Sequence, residues 1–372
     1  MFPLPCSTGD IRFGPFLHLR YLRHLPLRLR FDKINIRVIA RFFSERFSMP
    51  PAPLFFETDI HQMEVSLAKL EADTNGSDSH ADEVRRIRRE LLSLKKKKYS
   101  NLNAWETVLV SRHPDRPQTV DYIDLIFEEF VELHGDRAFG DDRALRCGFA
   151  RLGDFKIMLI GHQKGHTLQE RQTCFYGCAH PEGYRKALNK MRLAAKYNVP
   201  IVCLIDTPGA FPGIGAEERG QAQLIATGLL EMSRVPTPIV CVVIGEGGSG
   251  GALGIGIGDR VSMLEHAYYS VISPEGCAGI LWKIANEETK PRAAEALRLT
   301  SRSLSQFGVI DDVIPEPVGG AHRDPREMSA TLKTYLLRYL RELRPLPIPE
   351  LLNGRYDKFR RMGVFTTAEA AV

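Results

Sequence analysis

Hydrophobic residues recur at regular intervals in three charged stretches of the chain. At 57–70 and 83–94, apolar positions return every three or four residues, the spacing of a helix with one buried face. These two stretches predict an N-terminal helical arm with a turn at 73–79. A third stretch, 119–133, has the same spacing and predicts a further helix, which His134-Gly135 ends.

From residue 144 onward, short apolar runs alternate with helical stretches. Short runs rich in Val and Ile are typical of buried strands. The predicted strands are 144–152, 155–160, 201–205, 239–244, 261–264 and 270–272, and the predicted helices are 183–197, 217–233, 274–284 and 328–343. This alternation predicts an α/β fold with a largely parallel sheet. After the last helix, three prolines at 345–349 predict a break and then a polar tail.

Charge divides the chain near residue 48. Of 50 Lys and Arg and 45 Asp and Glu, nine basic and three acidic side chains fall within residues 1–48, so the remainder is close to neutral. A neutral body argues against a nucleic-acid-binding surface, although a local basic patch for phosphates is compatible with it. Segment 1–48 has three interpretations: an organelle transit peptide, a disordered extension, or a start upstream of Met49. We favour the last, because a more ordinary sequence begins at Met49.

The seven cysteines are scattered, and two lie inside apolar runs, which indicates a reducing compartment without disulfides. Cys174-x-x-x-Cys178 lacks the second ligand pair of a structural zinc site, so we expect no metal in this chain. No apolar run reaches the roughly 18 residues that cross a bilayer, and we expect no membrane association. The expected location is cytoplasmic, or plastid if residues 1–48 are a transit peptide.

Two glycine-rich segments each follow a predicted buried strand and precede a helix: DTPGAFPGIGAEERG at 206–220 and GEGGSGGA at 245–252. Backbone N–H groups at such a junction lack partners within the helix and can bind a ligand. In the second segment, two amides that converge on one oxygen would form an oxyanion hole. No nucleophile motif accompanies His162, His166 or His180, so the site is predicted to act through backbone dipoles.

Other interpretations of the glycine-rich segments exist. DTPG at 206–209 is also found on the magnesium side of GTPases, but the chain contains no G-x-x-x-x-G-K-[ST]. Gly245-x-Gly247-x-x-Gly250 matches the dinucleotide fingerprint, with Glu265 where a ribose-binding acid belongs. This alternative stays open, although the glycines that follow make a poor crossover helix. Both segments are also compatible with ordinary tight turns.

Several further blocks carry a resemblance to a known family. They are HGDR at 134–137, GHQKG at 161–165, PEGYRKA at 181–187, YSVISPEGCA at 269–278 and IPEPVGGAHR at 314–323. With the two glycine-rich segments, they resemble the alpha subunit of acetyl-CoA carboxylase carboxyltransferase, from about residue 49 to about residue 363. The resemblance implies a crotonase-like α/β fold. The expected parts are an atypical extension 1–48, a helical arm 49–118, a carboxyltransferase domain 119–325, and a C-terminal helix and tail 326–372.

The resemblance also implies a chemistry. Such an enzyme transfers the carboxyl group of carboxybiotin, held on a biotin carboxyl carrier protein, to acetyl-CoA and forms malonyl-CoA for fatty acid synthesis. It acts with a beta subunit that carries a zinc ribbon, in an α2β2 assembly, and with biotin carboxylase. Biotin itself acts as the base, so the protein must stabilise two oxyanions. A related scaffold that has lost activity is the remaining alternative.

The resemblance assigns roles to individual residues. The backbone N–H groups of Gly250 and Gly251 would stabilise the ureido oxygen of biotin, and the partner subunit would supply the pair for the thioester. Residues expected to line the carboxybiotin pocket are Gly209, Ala210, Gly247 and Gly248. Candidates for contacts with CoA phosphates or with acidic partner groups are Lys164, Arg185 and Arg219, with surface ion pairs as the alternative. The stretch 166–178 departs from the family pattern, so no contact is transferred to it.

Overall fold

The computed structural model describes residues 53–73 and 81–363, all within one compact unit. The predicted extension 1–48 and all but the first residue of the predicted turn 73–79 lie outside the described residues.

The predicted arm consists of two helices, α1 (Thr58–Asp73) and α2 (Ala81–Tyr99). Their apolar sides form a small core of their own, in which Ile60 and Tyr99 pack with Val110. Val110 belongs to α3 (Ala104–Ser111), a helix that the sequence analysis did not predict. The helical arm is therefore confirmed, and it is packed against the next element.

A mixed sheet of eight strands forms the centre of the molecule. The strands are β1 (Glu129–Glu132), β2 (Leu145–Leu152), β3 (Phe155–His162), β4 (Ile201–Thr207), β5 (Ile239–Gly248), β6 (Arg260–Leu264), β7 (Tyr268–Ser270) and β8 (Asp312–Ile314). The order is β1-β2-β3-β4-β5-β6-β8, and β7 pairs with the end of β5. Strands β1, β2 and β3 pair antiparallel, whereas all other pairs are parallel. The predicted α/β class is confirmed, and the sheet is parallel from β3 onward.

Helices cover the sheet and connect its strands. They are α4 (Thr119–Ile126), α5 (Leu168–Thr173), α6 (Pro181–Lys196), α7 (Ile214–Glu218), α8 (Gln221–Met232), α9 (Ser249–Leu253), α10 (Pro274–Trp282), α11 (Thr289–Leu297), α12 (Ser301–Gln306), α13 (Pro325–Leu343) and α14 (Ile348–Arg360). Strands β4 and β5 are buried along their whole length, because both faces of the sheet are covered. The single helix predicted at 217–233 is two helices, separated by Gly220 at φ 82°.

The helix predicted at 119–133 is wrong in its second half. Helix α4 ends at Ile126, and Phe127 is extended (φ −97°, ψ 137°). The next residues form the edge strand β1, antiparallel to β2. Phe130 packs against the main core from this strand, as it would have done from a helix, so its apolar character did not separate the two structures.

The polar tail predicted after the prolines is also wrong. Its first part is helix α14, with Leu351 and Arg355 buried, and residues 364–372 lie outside the described residues. The strand predicted at 270–272 lies slightly earlier, at β7. Helix α14 contributes Leu351 and, in part, Phe359 to the main core, and Arg355 adds a buried charge.

Candidate active site

The two glycine-rich segments meet at one edge of the sheet. Strands β4 and β5 are parallel neighbours, so the segments that follow them leave from the same edge, and Thr207 pairs with Gly247. A Cβ atom on Gly248 would lie 2.2 Å from the carbonyl oxygen of Pro208, and one on Gly251 would lie 2.5 Å from the backbone nitrogen of Ala210. Only glycine allows the two main chains to approach so closely.

Helix α9 begins directly at the end of β5. Gly250 and Gly251 occupy its second and third positions, where an N–H group has no carbonyl four residues earlier within the helix. Ser249, at the first position, has φ 53°, a left-handed conformation that is strained for any residue but glycine. Gly250 is partly exposed and Gly251 is buried beside the 206–220 segment. The junction therefore leaves backbone donors at the sheet edge.

A cavity of about 360 Å³ lies against the same edge. Its lining includes Pro208, Lys164, Asp206 and Glu246 of the sheet edge and Arg112 from the end of α3. The lining is rich in charged side chains, and it does not include Gly250 or Gly251.

Lys164 lies between two buried carboxylates. Its Nζ atom donates to Glu246 Oε2 at 2.5 Å and lies 2.6 Å from Asp206 Oδ1. Burial lowers the pKa of Lys164, but the charges of Asp206 and Glu246 outweigh this effect and raise it above its ordinary value. The lysine is therefore a permanent cation at neutral pH.

Glu246 has a second set of partners on its other side. Arg112 Nε donates to Glu246 Oε1 at 2.6 Å, and the Tyr268 hydroxyl donates to the same oxygen at 2.9 Å. Arg112 continues to Glu275 at the start of α10, at 2.5 Å. Burial raises the pKa of Glu246, but Lys164 and Arg112 together lower it to about 2. Sequence separations of 82 to 163 residues explain why sequence analysis did not find this network.

Arg116 and Glu316 form a second buried ion pair. Arg116 makes two hydrogen bonds to Glu316, at 2.5 and 3.0 Å, and donates to the carbonyl oxygen of Ile244 at 2.8 Å. Burial raises the pKa of Glu316, but the charge of Arg116, followed by that of His266, lowers it to about 2. This pair connects the residues after β8 to the middle of β5.

Three cationic side chains predicted as phosphate or partner contacts are all ion-paired within the chain. Lys164 bridges Asp206 and Glu246, as described above. Arg185 donates to Asp136, and Arg219 donates to Glu182 at 2.5 Å. Gly247 and Gly248 lie inside β5 and are buried, whereas Gly209 and Ala210 are partly exposed beside α9.

The histidines near the site are not placed as catalytic bases. His162 is fully buried, and neither ring nitrogen has a hydrogen-bond partner among the described residues. Burial first, and then the charge of Lys164, lower the pKa of His162 to about 3, so the ring is neutral. His166 lies 2.7 Å from Asp121, and His180 stacks on Phe211.

The stretch 166–178 contributes aromatic residues to the site. Phe175 and Tyr176 both have positive φ, at 48° and 55°, and Tyr176 is 51% exposed and lines the cavity. Phe175 contacts the stacked rings of His180 and Phe211 edge-on. Two bulky residues in the left-handed region store backbone strain beside the cavity.

The dinucleotide alternative is wrong. In that motif the glycines form a turn after a strand, but Gly245 and Gly247 here lie within β5. A Cβ on Gly245 would lie 2.5 Å from Asp206 Oδ1, so this glycine serves strand packing. Glu265 accepts a hydrogen bond from the amide of Glu316 and contributes to the junction with β8.

Within 53–73 and 81–363, no group of three or more His, Cys, Asp or Glu side chains is arranged to hold a metal ion. In the same part of the chain, no helix is both long enough and apolar enough to span a membrane.

The chain matches a known family over most of its length. The sequence model of the family described as acetyl co-enzyme A carboxylase carboxyltransferase-like covers residues 53–363, and the chain belongs to this family of carboxyltransferases. Individual relatives of the chain are named acetyl-coenzyme A carboxylase carboxyl transferase subunit alpha. The protein of Rhodopirellula baltica is 59% identical over 84% of this chain and 97% of its own length. That of Methylococcus capsulatus is 52% identical over 84% and 97%.

Solved structures were also compared. A Pseudomonas malonate decarboxylase hetero-tetramer in complex with coenzyme A is 17% identical and has a TM-score of 0.49, over 65% of this chain and 96% of that one. A transcarboxylase 12S structure is 22% identical, with a TM-score of 0.48 over 61% and 44%. Membership of the carboxyltransferase family confirms the enzyme class predicted from the resemblance.

Proposed function

We propose that this chain is the alpha subunit of an acetyl-CoA carboxylase carboxyltransferase, which passes the carboxyl group of carboxybiotin to acetyl-CoA. Family membership over residues 53–363 and relatives of more than 50% identity that carry this name support the proposal. The product is malonyl-CoA, the precursor for fatty acid synthesis.

The mechanistic part of the proposal rests on the close approach of the two glycine-rich segments. Gly250 and Gly251 lie in the first turn of α9, where their N–H groups have no intrahelical acceptor. The tight approach of Gly251 to Ala210 fixes the donors relative to the 206–220 segment. Fixed donors stabilise a developing oxyanion better than water does, because they need no reorganisation during the reaction.

The residues present fit a biotin ureido group. Bound carboxybiotin supplies both the transferred carboxyl group and, after its loss, the base. In this proposal the amides of Gly250 and Gly251 bind the ureido oxygen and Gly209 and Ala210 form the facing wall, and the close approach of Gly251 to Ala210 supports it. His162 beside Lys164 is fully buried and neutral, which supports a role for this part of the chain in binding charge rather than in moving protons.

The proposal includes partners and a location. A beta subunit supplies the donors for the thioester oxygen and carries the zinc ribbon, in an α2β2 assembly. A biotin carboxyl carrier protein brings the carboxyl group, which biotin carboxylase has loaded. The bacterial relatives support a cytoplasmic location.

Substitution of Gly250 tests the oxyanion role. A Cβ atom at this position meets only the side chain of Ile225, at 3.6 Å, so the fold accommodates it. Gly250→Val places methyl groups in front of the amides, and kcat for malonyl-CoA formation with the beta subunit is expected to fall roughly 10²- to 10³-fold.

The matched control is Gly354→Val in α14, where an added Cβ meets nothing within 4 Å. The control is expected to retain the activity of the unmodified chain. Equal activity of the two variants would contradict the oxyanion assignment. Absence of malonyl-CoA formation by the unmodified chain, with beta subunit and carboxybiotin present, would contradict the proposed function itself.

A further inference from the structure

We propose that Lys164 is a positioning residue for carboxyl transfer, which holds the two glycine-rich segments in register and cancels the carboxylate charge behind the anion-binding amides. This inference rests on the proposed function and assigns it a residue that contacts neither substrate.

The first argument is geometric. Lys164 follows β3 by two residues, Asp206 lies in β4 three residues before Gly209, and Glu246 lies in β5 four residues before Gly250. One ammonium group within 2.6 Å of both carboxylates therefore links the ends of three neighbouring strands. The positions of both glycine-rich segments depend on this link, because each follows one of the two carboxylates along the chain.

The surroundings leave this link little freedom. The amide of Glu246 donates to Asp206 Oδ1 at 2.9 Å, so the two strand ends are also joined directly. A Cβ on Gly177 would lie 2.9 Å from Lys164 Cγ, which shows how closely the strained stretch 175–177 covers the lysine stem. A shift of the ammonium group would move the carboxylates, and with them the segments that carry the amides.

The second argument concerns charge. Asp206 and Glu246 are two buried carboxylates directly behind the segments proposed to bind an oxyanion. Lys164 lies between them, and Arg112 is shared between Glu246 and Glu275, so loss of Lys164 removes the cation that both buried carboxylates contact. In a buried site, a carboxylate charge without such a cation opposes a second anion strongly.

Other charged or titratable groups face this pair. They are Arg112 from the end of α3, Arg116 and Tyr122 before and within α4, His162 at the end of β3, Cys178 after the stretch 175–177, Tyr268 in β7 and Glu275 in α10. Arg116 is committed to Glu316, and Arg112 is shared between Glu246 and Glu275. Among these groups, none is a spare cation that could replace Lys164.

The experiment compares Lys164→Met with Lys358→Met in the assembled enzyme. Both lysines contact a carboxylate and are similarly exposed, at 17% and 18%, but Lys358 bonds Asp311 at the opposite edge of the sheet. Lys164→Met is expected to lower kcat about 10²-fold, the effect of misplacing a reacting group by about 1 Å, with little change in KM. Lys358→Met is expected to keep the kcat of the unmodified enzyme. Equal kcat values for the two variants would refute the proposal.

Two further measurements distinguish the positioning and charge roles of Lys164 from a simple loss of folding. Lys164→Arg keeps the cation, and its kcat is expected to recover at least tenfold relative to Lys164→Met. In Lys164→Met the pKa of Glu246 is expected to rise, since burial then acts with less compensation. Protonation would remove part of the excess charge, so the kcat of the variant should decrease less as the pH falls than the kcat of the unmodified enzyme.

The double variant Lys164→Met with Glu246→Gln tests the charge argument without a pH change. It removes the uncompensated carboxylate and is expected to be more active than Lys164→Met alone. Thermal unfolding of each variant shows whether it is folded. The electrostatic role would be refuted if the variants are folded and the loss of kcat stays the same at lower pH, in Lys164→Arg and in the double variant. An unmodified enzyme without transferase activity would instead refute the proposed function.

Discussion

Buried charged residues lie at both ends of the parallel strands, which we call the amino edge and the carboxyl edge of the sheet. Their surroundings differ between the two edges. At the amino edge, Arg355 of α14 makes two hydrogen bonds to Asp259 and donates to the carbonyl oxygens of Met232, Val235 and Thr237. Every one of these groups finds its partner within the chain. At the carboxyl edge, the ion pairs lie beneath glycine-rich segments whose first-turn amides have no intrahelical acceptor.

This difference indicates where stability and function reside in the fold. The amino edge is closed, because a C-terminal helix brings a buried guanidinium to Asp259 and to three backbone carbonyl groups. The carboxyl edge is open toward a cavity, and Ser249, Phe175 and Tyr176 near it are held in strained conformations. Substitutions at the amino edge should therefore affect folding alone, whereas those at the carboxyl edge should also affect turnover.

The largest expected effect on stability is at the amino edge. Arg355→Met removes the buried cation that pairs with Asp259 and a donor to three carbonyl oxygens, which should lower the free energy of unfolding by about 3 to 5 kcal/mol. Denaturant unfolding measures this loss. Arg361→Met, whose side chain is 81% exposed, is the control and should change the free energy by less than about 1 kcal/mol. A fully stable Arg355→Met protein with reduced kcat would reverse the proposed division between the edges.

Lowering the pH should reduce the stability of the fold through Glu316 at the carboxyl edge. The pKa of Glu316 is about 2 in the folded chain against an ordinary value of 4.5, so its ionised form stabilises the fold. That contribution is complete above about pH 4.5 and is lost as the pH falls toward 2, with about 2 kcal/mol gone by pH 3. In Glu316→Gln, the unfolding free energy should fall less steeply between pH 5 and 3. An identical slope in both proteins would contradict this assignment.

The sequence predicted the interior of the fold better than its connections. Continuous apolar runs located β4 and β5, because strands buried on both faces contain few polar residues. Two glycine-rich segments were expected at one site, since neighbouring parallel strands end at the same edge. Periodicity failed at Phe130, where an edge strand and a helix bury the same side chain.

Sequence patterns did not predict the ion-pair network around Lys164. The sequence nevertheless contained one indication of it. Asp206 and Glu246 interrupt the ends of otherwise apolar strands, and a buried carboxylate requires a cation. Lys164 in the neighbouring GHQKG block was the candidate, but it was assigned to phosphate or partner contacts. Arg355 gave no such signal, because its partner carbonyl groups are invisible in a sequence.

The smallest expected effect compares one left-handed residue at each edge. Ser249 has φ 53° at the carboxyl edge, and Asn198 has the same angle just before β4 at the amino edge. Asn tolerates this conformation better than Ser, so Ser249→Gly should raise the free energy of unfolding by about 0.5 to 1 kcal/mol and Asn198→Gly by less. The added freedom at Ser249 also loosens the adjacent amide of Gly250, so kcat should fall although stability rises. Asn198→Gly should leave kcat unchanged. A Ser249→Gly protein that is both more stable and fully active would mean that the strain at the carboxyl edge does not serve catalysis.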